Sequence, residues 1–191
     1  MSDKFKVDFV FQIGICVSNL EETLENWKKY VDIDTSTIAL RSTKTEYEAG
    51  NIKGLDMYNG KKCDPWFIKY YRFDLGNMDI ELIEPLSKEP GTPYSDWLIK
   101  HGNGIHHIAC KIHDRPAFLK MMEDEGITPM LGTSVGKVLA NGETKNCFFF
   151  DLREQLGVII ESGSIVVGPM SKDPRAGNPT DYVDVPDHAV K

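Results

Sequence analysis

The stretch Gly104-Ile105-His106-His107-Ile108-Ala109-Cys110-Lys111-Ile112 occurs a second time, in weaker form, as Phe11-Gln12-Ile13-Gly14-Ile15-Cys16-Val17. Setting Gln12 against His107 places a polar residue at the head of an alternating apolar strand in both copies. A helix-start signal follows each, at Ser18 in one and at Asp114 in the other. The correspondence continues. Phe73-Asp74-Leu75 leads to Glu81 within Ile-Glu-Leu-Ile, and Phe150-Asp151-Leu152 leads to Glu161 within Val-Ile-Ile-Glu. Two copies of one strand-helix-strands unit are expected, each offering one polar residue on its first strand and one carboxylate on its last.

Working outward, residues 7 to 17 alternate as a strand, and Ser18 with Glu21 has the spacing of a capping box. Leu20, Leu24, Trp27 and Val31 then line one face of a helix. A short strand is expected near 35 to 40. Residues 41 to 65, with Gly50, Gly54 and Gly60, keep neither helical nor strand period and read as an insertion that could serve as a lid. Residues 66 to 75 and 78 to 83 form a hairpin about Gly76-Asn77. Thr92 caps a short helix near 94 to 100, with Pro93 in its first turn. The second unit runs through a strand at 105 to 112, a helix at 115 to 125, and strands near 128 to 131, 145 to 152 and 157 to 162. The organisation expected is a first module over 7–86 carrying the 41–65 insertion, a linker with a short helix over 87–103, a second module over 104–166, and an extended tail over 167–191.

A glutamate in the middle of an apolar strand is costly to bury unless it is paired or bound to a cation. Glu81 and Glu161 both sit that way, which aims them into a concave interior with Gln12 and His107. One imidazole, two carboxylates and an amide oxygen, without a thiolate, suit a divalent ion that keeps water sites open. The candidates are Zn, Co, Ni, Mn and Mg. Taken singly, Gln12 reads as an ordinary strand residue and His107 as a core histidine; the repeat is what joins them. His106 is expected on the face opposite His107, since neighbours on a strand alternate. Cys16, Cys63, Cys110 and Cys147 lack metal or redox spacing and read as buried thiols.

A net charge of −7 and the absence of any basic cluster argue against a nucleic-acid or anionic-membrane surface. No stretch approaches the roughly 20 apolar residues of a membrane span, and the N-terminus lacks the apolar core of a secretory signal, so a cytoplasmic location is expected.

These residues carry a family likeness. The paired modules resemble the vicinal oxygen chelate superfamily of glyoxalases, extradiol dioxygenases and antibiotic-resistance proteins. Within it, the run from Asp74 to Leu86, Gly91-Thr92-Pro93 through Trp97-Leu98, Gly104 to Ala109, and Gly157 to Glu161 are similar to methylmalonyl-CoA epimerases. The resemblance implies an α+β fold in which two βαβββ modules form a curved, cup-shaped mixed sheet. It places a divalent metal on Gln12, Glu81, His107 and Glu161. It implies an isomerase (epimerase or racemase) that removes and returns a proton α to a carbonyl, with Glu161 or Glu81 as base. The implied partners are a small-molecule carbonyl substrate, an acyl-CoA among the candidates, and a second copy of the chain. Two positions depart from the epimerase pattern. Gln12 stands where those enzymes usually have His, giving a set similar to that of eukaryotic glyoxalase I. The third strand lacks the epimerases' second carboxylate, leaving Lys69 or Tyr71 to take that role. A glyoxalase I-like lyase and a non-catalytic small-molecule or antibiotic binder of the same fold are the alternatives.

Overall fold

The computed structural model describes residues 4–50, 55–76, 78–132, 137–138, 144–145 and 147–163. The expected tail over 167–191 lies outside them, as do residues 51–54 of the insertion. In the first module, β1 (Val7–Cys16) leads to α1 (Leu20–Tyr30). The cap is Asn19, whose side chain accepts from the Glu22 N–H, and not Ser18; the Ser18 N–H is instead taken by the Asn103 side chain. Asp34 then accepts from the Ser36 N–H and folds Thr35–Thr37 into a 3-10 turn, so the second strand, β2 (Ala39–Ser42), begins later than its sequence pattern suggests.

The insertion is more ordered than its period-free sequence implies. It contains α2 (Thr43–Glu48) and a hairpin of β3 (Met57–Tyr58) and β4 (Lys61–Lys62). The module closes with β5 (Ile68–Leu75) and β6 (Met78–Pro85), joined by a turn in which Gly76 takes a φ of 63°. Next comes α3 (Pro93–His101), capped reciprocally by Thr92 and Ser95. The second module follows the same order, with β7 (Gly104–Ile112), α4 (Arg115–Asp124), β8 (Leu131–Gly132), a small ladder of β9 (Lys137–Val138) and β10 (Thr144–Lys145), β11 (Cys147–Leu152), one turn of helix α5 (Arg153–Leu156), and β12 (Val158–Gly163).

Among the described residues the strands form a mixed sheet in the order β2-β5-β6-β1-β7-β12-β11-β8-β3-β4. Its centre is where the modules meet: β1 runs antiparallel to β7, and each is parallel to the last strand of its own module. The four positions related by the repeat therefore lie on four adjacent strands. At the far edge β3 pairs with β8, so the insertion from the first module completes the sheet of the second.

Alternation along the strands sorts most of the core into three large clusters, with Phe11 and Ala109 forming a small fourth. Leu20 and Leu24 of α1 pack on Phe73, Ile80 and Leu82. Phe118 and Met122 of α4 pack on Cys110, Phe148, Phe150 and Ile160. The opposite face of the curved sheet carries Cys16, Ile83, Leu131, Phe149 and Ile159, covered by Trp66 and by Tyr94 of α3. The α+β cup read from the sequence is the fold observed.

Candidate functional site

The floor of the cup is built around a glycine. Gly14 of β1 lies in register with Glu81 of β6 on one side and with His107 of β7 on the other. A Cβ at position 14 would overlap Cε1, Nε2 and Nδ1 of the His107 imidazole, so the ring occupies the space that the missing side chain leaves. His107 is fully buried, and its Nε2 lies 3.1 Å from Oε2 of Glu161 and 3.9 Å from Oε2 of Glu81. Neither approach is aligned as a hydrogen bond, and among the described residues Nε2 has no hydrogen-bond partner.

The two carboxylates have opposed environments. Burial pushes Glu81 up to about 7; the neighbouring His107 works against this and the charge of Glu161 adds to it. Burial also acts to raise Glu161, but His107 and a hydrogen bond from the Cys147 thiol outweigh it and hold the group below its ordinary value. That thiol lies 2.9 Å from Oε1 of Glu161, and burial, with the charge of Glu161 adding, keeps it protonated far above the usual thiol range. Cys147 is thus a hydrogen-bond donor to the site, not simply the small apolar residue expected of a strand cysteine.

Gln12 lies two residues before Gly14 on the same face of β1. Its Nε2 donates to Oδ2 of Asp79 at 2.5 Å. The same oxygen receives Nε and Nη2 of Arg72 at 2.9 and 2.6 Å. Burial raises Asp79 to about 6 despite these contacts. Anchoring the amide through its nitrogen leaves the Gln12 carbonyl oxygen as the atom a cation would take.

The structure thus brings His107, Glu81 and Glu161 together and ties Gln12 to Asp79 beside them. It does not bring Lys69 to the site. In the β5–β6 ladder Arg72 lies opposite Glu81 and Lys69 opposite Glu84. The Lys69 ammonium sits 3.1 Å from Glu21 of α1 and 3.3 Å from Glu84, on the helix-covered face. A base role for Lys69 is corrected by this parity: successive side chains on β5 point to opposite faces, and the cup face belongs to Tyr70 and Arg72. Lys69→Ala is expected to leave metal content unchanged and to cost no more than about 1 kcal/mol in urea unfolding, as for a partly exposed ion pair.

Nor is His106 opposed to His107. The pairing of β1 with β7 shifts between Gly14↔His107 and Ile15↔Ile105, leaving His106 as the extra residue of a bulge. The bulge turns its ring so that Nδ1 lies 3.0 Å from Nδ1 of His107. Burial, with His107 adding, drives His106 well below the ordinary imidazole range, so it is neutral.

Among the described residues no group of three or more His, Cys, Asp and Glu side chains is drawn together as a complete cation site. The residues nevertheless fit one. A buried imidazole nitrogen with no hydrogen bond among the described residues faces two carboxylates, over a glycine that makes room for the ring, and all the donors are hard or borderline.

A cup of paired βαβββ modules with polar side chains on its four central strands defines a class of protein. The sequence profile of the Glyoxalase/Bleomycin resistance protein/Dioxygenase superfamily matches residues 11–148. The chain belongs to that superfamily. The uncharacterized protein YqjC of Bacillus subtilis (strain 168) is 28% identical over 129 residues, 68% of this chain and 86% of that one. Methylmalonyl-CoA epimerase from Mycobacterium tuberculosis superposes with a TM-score of 0.54 at 17% identity, covering 85% of this chain and 91% of that one. The hypothetical protein BH1468 from Bacillus halodurans C-125 gives a TM-score of 0.50 at 22% identity, over 81% and 92% of the two chains. A Streptomyces coelicolor methylmalonyl-CoA epimerase variant in complex with 2-nitronate-propionyl-CoA gives 0.52 at 18%, over 82% and 96%. At these identities the likeness to solved structures is one of fold. No helix among the described residues is long and apolar enough to cross a membrane.

Proposed function

We propose that this protein is a divalent-metal-dependent isomerase, an epimerase or racemase that takes a proton from the carbon next to a carbonyl and returns one. The observation that carries this reading is the buried Nε2 of His107, which faces two carboxylates and makes no hydrogen bond among the described residues. Burial makes the ionised form of Glu81 costly and raises it, and the nearby charge of Glu161 adds to that cost. A cation relieves that cost. Nε2 of His107, Glu81, Glu161 and the carbonyl oxygen of Gln12 would hold it. When bound, a divalent ion supplies Lewis-acid polarisation of a substrate carbonyl and charge stabilisation for the enolate.

The protein's own groups do the rest. Glu81 and Glu161 come from β6 and β12, on either side of the central β1–β7 pair, so a proton taken by one carboxylate and returned by the other inverts the carbon between them. Arg72 and Asp79 fix the Gln12 amide. Trp66, Tyr94 and Phe149 form an apolar wall beside the floor and exclude water from the reacting carbon. The substrate class is a small carbonyl compound, with an acyl-CoA supported by the fold of the epimerase relatives. The cup face of β5 bears Tyr70 and Arg72 and no carboxylate, so both base roles fall to Glu81 and Glu161.

The apolar wall also supports a second reading, a binding protein that holds an aromatic ligand in the cup. Elemental analysis of the purified protein separates the two. Isomerase chemistry is expected to show about one equivalent of divalent metal per chain. Loss of that metal in His107→Ala, and α-proton exchange into deuterated water with acyl-CoA or other carbonyl substrates, are expected with it. A parent protein that takes up no metal even when it is supplied would end the isomerase reading and leave the binder.

A further inference from the structure

His106 has no part in the reaction proposed above, yet its surroundings are specific. It is 2% exposed, and its ring centroid lies 4.7 Å from Tyr94, 4.8 Å from Trp97 and 5.3 Å from His107. A bulge in β7 brings it there, and with the alternation interrupted two adjacent strand residues share a hydrogen bond between their rings. Nδ1 to Nδ1 at 3.0 Å admits one proton between two nitrogens, so one ring donates and the other accepts.

The direction follows from what His107 must present. A cation held by Nε2 of His107 requires that nitrogen to be bare, which places the ring's remaining proton on Nδ1. The aligned acceptor for that proton among the described residues is Nδ1 of His106. His106 then carries its own proton on Nε2, a buried atom with no hydrogen-bond partner among the described residues. Its orientation is therefore set by the bulge and the aromatic walls, not by a second hydrogen bond. The more usual outer partner of a metal-bound histidine is a carboxylate or a backbone carbonyl; here the role falls to a second imidazole.

We propose that His106 is a positioning residue that accepts the Nδ1–H of His107, fixing its tautomer and ring plane so that Nε2 is offered to a cation between Glu81 and Glu161. The inference rests on the metal-dependent reading of the site.

Two measurements on the whole chain test it. In the zinc-loaded parent, nitrogen-15 NMR is expected to show one imidazole proton bonded to Nδ1 of His107, with scalar coupling across the hydrogen bond to Nδ1 of His106. No coupling, or a proton residing on Nδ1 of His106, overturns the proposal without need of any variant. In zinc competition against a chromophoric chelator, His106→Phe, which keeps the aromatic packing and removes the acceptor, is expected to weaken binding by about 10- to 100-fold. His106→Asn, whose amide oxygen falls near the place of Nδ1, is expected to recover most of that loss. Parental affinity in His106→Phe overturns the positioning role while leaving the metal site standing. A parent that binds no zinc removes the metal site itself, and this role with it.

Discussion

Gly14→Ala is expected to empty the site of metal and to destabilise the fold, although the substitution adds a single methyl group. The reason is steric, since Gly14 has ordinary strand conformation. An added Cβ would overlap three atoms of the His107 ring, and the ring has nowhere to retreat. Phe149 stands edge-on at 4.8 Å from it, and His106 holds its Nδ1. Overpacking of this kind costs about 1–3 kcal/mol, and the upper end is expected here because the displaced side chain is fully buried. Zinc affinity is expected to fall by at least about 100-fold, as for loss of a ligand together with its outer partner. Urea unfolding and chelator competition read the two effects separately. A variant that binds zinc like the parent would show that His107 is not the ligand proposed above.

Glu81→Gln is expected to make the metal-free protein more stable at about pH 8, while destroying its affinity for metal. In the fold Glu81 lies at about 7, above its ordinary 4.5. An acid raised by folding contributes stability below its unfolded value, and that contribution is lost as pH rises through the folded value. In chelator, the parent should therefore lose stability between about pH 4.5 and 7, by on the order of 2–3 kcal/mol from this group. Asp79, raised to about 6, acts in the same direction. Glu161, held low, acts in the opposite sense and only at acid pH, where its protonation removes stability. Glutamine keeps the shape of Glu81 without the charge, so much of this slope should disappear. With excess zinc the order should invert, because only the parent gains binding energy. Thermal melts across pH, with chelator and with zinc, give both comparisons. A variant less stable than the parent at about pH 8 in chelator would refute the cost assigned to burying the Glu81 charge.

The repeat made the architecture legible. Gln12 and His107 head equivalent strands, and Glu81 and Glu161 are carboxylates in apolar runs, an anomaly that composition and alternation expose without any coordinates. What alternation could not give was the effect of pairing. Lys69 and Arg72 stand on the same strand, and only the register of β5 against β6 places Arg72 opposite Glu81. Strict alternation puts His106 on the wrong face because a bulge interrupts the two-residue period, and a bulge depends on the partner strand. Asp79 was available to the same reasoning that found Glu81, since it lies two residues earlier in the same apolar run. Gly14 carried a signal too: a glycine inside a strand marks a close approach. The short strands of the insertion had none, for β3 exists through its pairing with β8 in the other module.

That pairing has a consequence for how the chain reaches its native state. Met57 and Tyr58 emerge from the ribosome well before Gly132 and Leu131, their partners across the ladder. Until the second module has been made, the β3–β4 arm has no strand to join, and Trp66, which follows it, lacks Leu131 and Phe149 of its cluster. Contacts so far apart in sequence close late and slowly. The nascent first module therefore passes through a period with an open strand edge and an uncovered apolar face, and docking of the arm is the step that ends it.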